Sequence, residues 1–285
     1  GMELTSLAAN RGQAAGGGSP MAAVGMYAGT EDIQEGISCH MEEADIVQGL
    51  EMLAEEGHTH TAEEHESWTA WDNNALLPTS AGNYYLTADV TLAALWTVPS
   101  GQAVNLCLNG HTIQQTKAST GVAKVSGAGT ELSVYDCSEG TTGMITGGKG
   151  SGSNGGGITV SSGGALNLYG GKISGNTAAS GGGIYVTGGS AALYGGAVTE
   201  NGATGNGGGI YLAGSGSLTI NGGNIENNKT TGTSGKGGGV HVASGTAEMS
   251  GGEITGNESP NGGGVYTVGS GSSFAISGGS ITGNT

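Results

Sequence analysis

The chain has 285 residues, among them 63 glycines and a single phenylalanine, and 23 acidic against seven basic side chains give it a formal net charge of −16. No stripe of basic residues is present to displace counterions from phosphates, which excludes nucleic-acid binding. No apolar run approaches the roughly 20 residues that a membrane-spanning helix needs. These totals are typical of an extracellular or cell-surface protein, although no signal peptide is visible in the sequence.

The first part of the chain divides into two predicted segments. Residues 1–30 are rich in Gly, Ala and Ser and show no helical pattern, so we interpret them as a flexible tail. Residues 31–67 are acidic, and residues 41–56 within them have the spacing of an amphipathic helix. The apolar face of that helix contains Ile46, Val47, Leu50 and Leu53. Two interpretations stay open: a lid over the end of the fold predicted downstream, or a helix that packs elsewhere or orders only with a partner.

Histidines and carboxylates cluster just after this helix. The cluster contains His58, His60, Glu63, Glu64 and His65. Imidazole and carboxylate are ordinary zinc ligands, so a metal site is one interpretation. The spacing fits no closed zinc site, and we favour a solvated acidic linker that holds no metal.

From Trp68 onward the pattern changes to short strands with alternating apolar residues, with recognisable coils from about residue 84. Residues 106–113 align with residues 166–173, because both segments run from Leu to an Ile that follows glycine. We expect Trp68, Trp71 and Trp96 to cover the N-terminal end of the core.

The three cysteines form no recognisable framework. Cys107 falls at an outward strand position and Cys137 lies about one coil later, so a disulfide between them is compatible with the pattern without being required by it. Cys39 is left over. The absence of a CxxC pair argues against a structural zinc site or a thioredoxin-like site.

Residues 155–285 repeat one phrase five times. Each copy opens on three glycines and an Ile or Val, and each ends on an asparagine three residues after a second Ile or Val. The asparagines, 25, 27, 29 and 27 residues apart, are Asn176, Asn201, Asn228, Asn257 and Asn284. A fixed period of this size indicates a repeat architecture.

Within each copy apolar and polar residues alternate, as in Ile184-Tyr185-Val186, which is the period of a strand. Strands this short form no core alone, but stacked copies cover one another. We therefore predict an all-β fold, a single-stranded parallel β-helix of seven or eight coils over residues 68–285. The asparagines are expected to stack as a structural ladder at one corner. A disordered Gly/Ser-rich linker, the alternative, would not keep Ile and Val at constant offsets.

One outward position of the repeat is mostly aromatic. The residues there are Thr159, Tyr185, Tyr211, His241 and Tyr266. A row of aromatic side chains on a flat sheet can bind sugars or a protein, or can simply stabilise the sheet from outside. Tyr169 and Tyr194 share another outward position, but polar residues replace them downstream.

Three phrases near the start of the predicted β-helix carry a resemblance to a known family. They are Tyr84-Tyr85-Leu86, Trp96-Thr97-Val98-Pro99-Ser100-Gly101 and Leu106-Cys107-Leu108-Asn109-Gly110-His111-Thr112-Ile113. Together with the later Gly-Gly-Gly-Ile-Tyr-Val and Ile-Ser-Gly-Asn phrases, they resemble adhesin-like surface proteins of Gram-positive gut bacteria, of the right-handed β-helix (pectin-lyase-like) class. The resemblance covers about residues 68–285. It implies a right-handed solenoid that serves as a secreted or wall-anchored stalk or binding module.

Many β-helices of this class are polysaccharide lyases or hydrolases, so an enzyme is the alternative function. A lyase needs clustered acidic residues for Ca²⁺ and a basic residue to take the proton, yet the only arginine is Arg11 in the predicted tail. A glycosidase needs two carboxylates flanking the bond. Glu200 and Glu226, at nearly matching offsets, are the best pair, but they lie at a corner without a cleft. The sequence predicts no catalytic residues and no cofactor.

The chain stops at Thr285 in the middle of a repeat. We expect the natural protein to continue, or another chain to cover the end through end-to-end or side-by-side association. Carbohydrate or a surface protein is the expected partner of the aromatic row.

Overall fold

The computed structural model describes residues 8–9, 24–25, 62–152 and 155–285, which fall into two units, Gly1–Leu53 and Ala54–Thr285. In the first unit, the strand Ala8–Ala9 pairs antiparallel with Val24–Gly25. The predicted helix over residues 41–56, and with it the predicted capping role, lies outside the described residues.

The second unit is a parallel β-solenoid of about seven turns, so the predicted all-β parallel β-helix is confirmed. The described part of this unit contains one short 3-10 helix, Ala62–Ser67, before the first strand. Each turn contributes one strand to each of three long sheets, and every strand in them pairs in parallel with its neighbours.

The strands are as follows. Sheet 1 has seven: Trp96–Thr97, Ala123–Ser126, Ile158–Ser161, Ile184–Thr187, Ile210–Ala213, Val240–Val242 and Val265–Thr267. Sheet 2 has nine: Thr69–Trp71, Gly82–Leu86, Ala103–Cys107, Glu131–Tyr135, Ala165–Leu168, Ser190–Leu193, Ser217–Ile220, Gly245–Met249 and Ser272–Ile276. Sheet 3 has eight: Val90–Leu92, Thr112–Gln115, Met144–Thr146, Lys172–Ser174, Ala197–Thr199, Asn224–Glu226, Glu253–Thr255 and Ser280–Thr282. Sheet 4 has three short strands at the corner: Thr177–Ser180, Gly202–Asn206 and Lys229–Thr230.

The core is a set of columns of like side chains along the solenoid. In sheet 1, Ile158, Ile184, Ile210 and Val240 stand in register and are fully buried. Burial of each such side chain contributes roughly 1.5–3 kcal/mol, so the columns supply the main driving force for stacking.

The predicted alignment of the early coils is wrong by two residues in sheet 2. Leu106 pairs through Val134 with Leu168, and not with Leu166, while Ile113 does pair through Ile145 with Ile173. The segment from Leu106 to Ile113 is therefore two residues longer than the equivalent segment from Leu168 to Ile173. A shift of two keeps every side chain on the same face, so Leu106 stays in the core.

The tryptophans are only partly where they were expected. Trp71 packs against the core near its N-terminal end, and Trp96 is buried in sheet 1 with its indole N–H donating to Pro78 O at 3.0 Å. Trp68 instead lies on the outside of the solenoid, with its ring edge-on to that of Tyr135 and 5.5 Å between the ring centroids.

The five asparagines form a continuous ladder at the corner after sheet 3. Each Nδ2 donates to the Oδ1 of the next asparagine, with distances of 3.1, 3.0, 2.9 and 2.9 Å along the ladder from Asn176 to Asn284. The same Oδ1 atoms also accept the backbone N–H of the preceding asparagine. Asn228 further donates to Val198 O at 2.9 Å and is fully buried. The ladder thus satisfies polar groups that the corner would otherwise leave unpaired.

We expect Asn228→Ala to lower the free energy of unfolding by about 3 kcal/mol, because it leaves the buried backbone N–H of Asn201 without its acceptor and removes the amide that donates to Val198 O and Asn257 Oδ1. Asn284→Ala is the matched control at the half-exposed end of the ladder and should cost clearly less. Denaturant unfolding of both variants followed by circular dichroism measures the difference. Equal losses would contradict a role for the internal ladder.

The residue before each ladder asparagine adopts a left-handed backbone. Three of these residues are glycines and two carry side chains, with φ values of 67°, 55°, 55°, 64° and 62° for Gly175, Glu200, Asn227, Gly256 and Gly283. A left-handed conformation costs roughly 1–2 kcal/mol for most L-residues, whereas glycine adopts it freely and asparagine tolerates it.

Glu200→Gly should therefore raise the free energy of unfolding by up to about 1 kcal/mol, and Asn227→Gly by less, since asparagine is the less strained of the two. Thermal unfolding of the two variants beside the wild type tests the order. A destabilised Glu200→Gly protein would show that the glutamate side chain has a compensating contact.

Candidate functional site

The outward aromatic row of sheet 1 is the most extensive regular surface feature that the sequence singled out. Backbone register places Tyr185, Tyr211, His241 and Tyr266 directly above one another. Their rings stack nearly parallel, with centroid separations of 5.0, 5.2 and 5.4 Å and interplanar angles of 19°, 4° and 6°. The three tyrosines are half-buried.

The sequence pattern placed all five positions of the row on the outside of the sheet, but two of them are buried. Thr159 is only 6% exposed, and its hydroxyl oxygen accepts the N–H of Gly155 at 2.9 Å. His241 is 3% exposed because the rings of Tyr211 and Tyr266 cover both of its faces. In a stack of this kind the inner rings present edges and polar atoms to a ligand, and not their faces.

His241 is neutral at ordinary pH. Burial lowers the pKa of its imidazole from 6.5 to about 4, and the positive charge of Lys236 adds to the effect. The ammonium of Lys236 lies 5.1 Å from the centroid of the Tyr266 ring. Nδ1 of His241 is buried and has no hydrogen-bond partner. The ring therefore acts as an aromatic spacer between two tyrosines.

A second aromatic row lies at the end of the sheet 2 strands. Tyr135, Tyr169 and Tyr194 stack with centroid separations of 4.8 and 4.7 Å. The sequence interpretation missed Tyr135, although it follows Val134 just as Tyr169 follows Leu168. Tyr194 is 39% exposed and ends the row.

The cysteines and one of the clustered histidines meet on the outside of the first coils. Cys107 and Cys137 are free thiols with their sulfurs 3.3 Å apart, and Cys107 is completely buried although it points away from the core by strand alternation. His65 is half-buried and stacks on Tyr85 at 4.1 Å, so the interpretation as a solvated linker is wrong for this residue. His58, His60 and Cys39 lie outside the described residues, as do the side chains of Glu63 and Glu64.

A small cavity opens beside the N-terminal strands of sheet 1. Its volume is about 280 Å³, and its lining includes Leu95, Lys117, Thr120 and Thr159. No carboxylate lines it, so it lacks the acid and base that sugar-bond cleavage needs.

Comparison of the chain with protein-family models, with curated proteins and with solved structures finds no match. In the part of the chain that the structure describes, no helix has the length and apolar character to cross a bilayer. Interpretation of function therefore rests on the surface geometry.

The depressed pKa of His241 makes a specific contribution to acid sensitivity. Above pH 6.5 the histidine is neutral in both the folded and the unfolded state. As the pH falls from 6.5 to 4 the unfolded state takes up the proton first, so the free energy of unfolding decreases over that interval and levels off below pH 4.

We expect His241→Phe to remove this component, worth at most roughly 3 kcal/mol, while preserving the stacked row. The measurement is the free energy of unfolding against pH for both proteins, and the difference between the curves isolates the histidine from the carboxylates. His111→Gln, at a half-buried histidine whose Nδ1 lies 3.3 Å from Asp89 Oδ1, is the control. Parallel curves for wild type and His241→Phe would show that His241 protonates equally in both states.

Proposed function

We propose that the chain is a non-catalytic module of an extracellular or cell-surface protein, adhesin-like in role, that binds a glycan or a protein through the row of Tyr185, Tyr211, His241 and Tyr266. The observation that carries the proposal is the in-register stacking of these rings over four successive coils. A ligand that lies along the solenoid axis would meet the half-buried edges of Tyr185 and Tyr211 on neighbouring coils, and that of Tyr266 beyond the buried His241. An extended polymer whose repeating unit is close in length to the coil spacing of about 4.8 Å would match this arrangement.

The stacking also defines how such a ligand would be bound. The ring faces inside the row are already occupied, so contact would come from ring edges and from tyrosine hydroxyls. Burial and the neighbouring Tyr185 raise the pKa of the Tyr211 hydroxyl, which keeps it protonated and able to donate a hydrogen bond. Sugar hydroxyls and backbone carbonyls are both suitable acceptors.

The geometry offers little support for the alternative, a polysaccharide lyase or hydrolase. Glu226 pairs with Thr199, so Glu200 and Glu226 are one residue out of register and do not occupy equivalent positions of successive coils. Asp136 accepts backbone N–H groups from Gly110 and Gly143 at 2.9 and 2.7 Å, which is a structural use of its carboxylate. Arg11 lies outside the described residues.

A glycan array with the full chain tests the proposal. We expect binding that falls at least about tenfold in Tyr185→Phe/Tyr211→Phe, which keeps the stack and removes two hydroxyls, and that is abolished in Tyr211→Ala/Tyr266→Ala. Tyr169→Phe/Tyr194→Phe in the second row is the matched control and should bind normally.

Two outcomes would overturn the proposal. Unchanged affinity in the sheet 1 variants would remove the row as the binding surface. Release of new reducing ends or unsaturated sugars from a bound glycan would instead support the enzyme.

A further inference from the structure

One column of side chains on the outside of sheet 2 is interrupted by a cysteine. Backbone pairing places Tyr85, Cys107 and Tyr135 in register on three successive strands, and the stacked Tyr169 and Tyr194 continue the column. A tyrosine ring would fill the level that Cys107 occupies. The smaller thiol leaves a space between two aromatic rings.

Two further potential metal ligands occupy this space. The sulfur of Cys137 lies 3.3 Å from the sulfur of Cys107, and Nε2 of His65 lies 3.3 Å from the sulfur of Cys137. All three ligand atoms lie within 4.8 Å of one another. Cys107 is buried, while His65 and Cys137 are half-buried, so the cluster is closed on the sheet side and reachable from outside.

The fold holds each of the three residues in place. Cys107 ends the strand Ala103–Cys107, and Cys137 follows Asp136, whose carboxylate accepts three backbone N–H groups. His65 is oriented by its ring stack on Tyr85, with an interplanar angle of 7°.

Asn109 adds a further contact to the cluster. Its Nδ2 donates to Leu86 O at 2.9 Å, which turns its Oδ1 toward the sulfur of Cys137 at 3.5 Å. Asn109 Oδ1 therefore accepts a hydrogen bond from the Cys137 thiol in the metal-free cluster.

We propose that His65, Cys107 and Cys137 form a three-ligand site for a thiophilic divalent metal, Zn²⁺ being the natural choice, with a fourth position open to water or to an external ligand. Thiolate and neutral imidazole are the ligands that zinc prefers in proteins, and Cys₂His with one open position is an established ligand set. Each cysteine gives up its proton to solvent on binding, so the two thiolates balance the charge of the ion.

The spacing of the ligand atoms favours a metal over a disulfide. Around a tetrahedral zinc ion two sulfurs are about 3.8 Å apart and a sulfur and a nitrogen about 3.5 Å apart. Two of the three pairs, at 3.3 Å each, are within about 0.5 Å of these values, and the third pair, His65 with Cys107, lies within 4.8 Å. A disulfide requires about 2.0 Å between the sulfurs, and the pair would have to close by more than an ångström.

Such an ion would join three parts of the chain that are far apart in sequence. His65 belongs to the 3-10 helix Ala62–Ser67, which precedes the first strand, whereas the cysteines belong to two successive coils. The ion would tie that helix to the solenoid at its N-terminal end. Metal binding should therefore stabilise the folded state by an amount that grows with the logarithm of the free Zn²⁺ concentration once that concentration exceeds Kd.

Titration of the reduced full chain with Zn²⁺ against a chromophoric chelator tests the site. We expect one equivalent of tight binding, weaker by at least about tenfold in each of His65→Gln, Cys137→Ser and Cys107→Ser. Co²⁺ should give sulfur-to-metal charge-transfer absorption in the wild type and lose part of it in each cysteine variant. Cys39→Ser and His111→Gln are the controls and should bind as the wild type does.

Three outcomes would overturn the proposal. The first is no stoichiometric Zn²⁺ binding by the reduced protein, and the second is binding that survives His65→Gln and Cys137→Ser unchanged. The third is a Cys107–Cys137 disulfide that persists under reductant and blocks Zn²⁺ uptake. Because Cys107 is buried, Cys107→Ser could fail to fold. In that case the Zn²⁺ affinities of His65→Gln and Cys137→Ser, at the two half-buried positions, decide whether the site exists.

Discussion

Hydrogen bonding between successive coils is the constraint on which this structure depends. Strands of two to five residues have no partner inside their own coil, so nearly every backbone group must pair with the coil above or below. The glycine triplets show how closely the coils approach. Gly156, Gly182 and Gly208 donate to the first glycine of the next triplet at 3.1 Å, and a Cβ at Gly182 would collide with the carbonyl oxygen of Gly208. The glycines are thus required by the packing of backbone on backbone.

Close stacking has a chemical consequence, since every side chain meets the equivalent side chain of the next coil at about the strand spacing of 4.8 Å. Residues that interact favourably with their own kind therefore accumulate: aliphatic side chains inside, amides at the corner and flat rings outside. In the outer row of sheet 1, the position between Tyr211 and Tyr266 holds a histidine that burial keeps neutral, which is compatible with the same rule.

Periodicity explains how much the sequence could predict. The parallel β-helix, the core positions such as Ile184 and Ile210, and the corner location of Asn228 follow from residues at constant offsets, because a constant offset in sequence becomes a column in space. The extra two residues between Leu106 and Ile113 could not be located from the pattern, since a turn absorbs an insertion without changing which face its flanking strands bury. The burial of His241 was also missed, because strand alternation says which way a side chain points and says nothing about what its neighbours cover.

The cluster of His65, Cys107 and Cys137 lay beyond the sequence interpretation for a related reason. Its three residues are not part of the repeated phrase and are not spaced by its period. Only the winding of the chain brings residues 65, 107 and 137 together. The one signal in the sequence is that the column of like side chains is broken. Cys107 stands between Tyr85 and Tyr135, at a position where the neighbouring coils carry aromatic rings. In a solenoid the repeated positions are governed by stacking, which fixes what they can be. Chemistry specific to one place therefore has to be sought where the repeat is broken, and a small, metal-binding side chain inside an aromatic column is such a break.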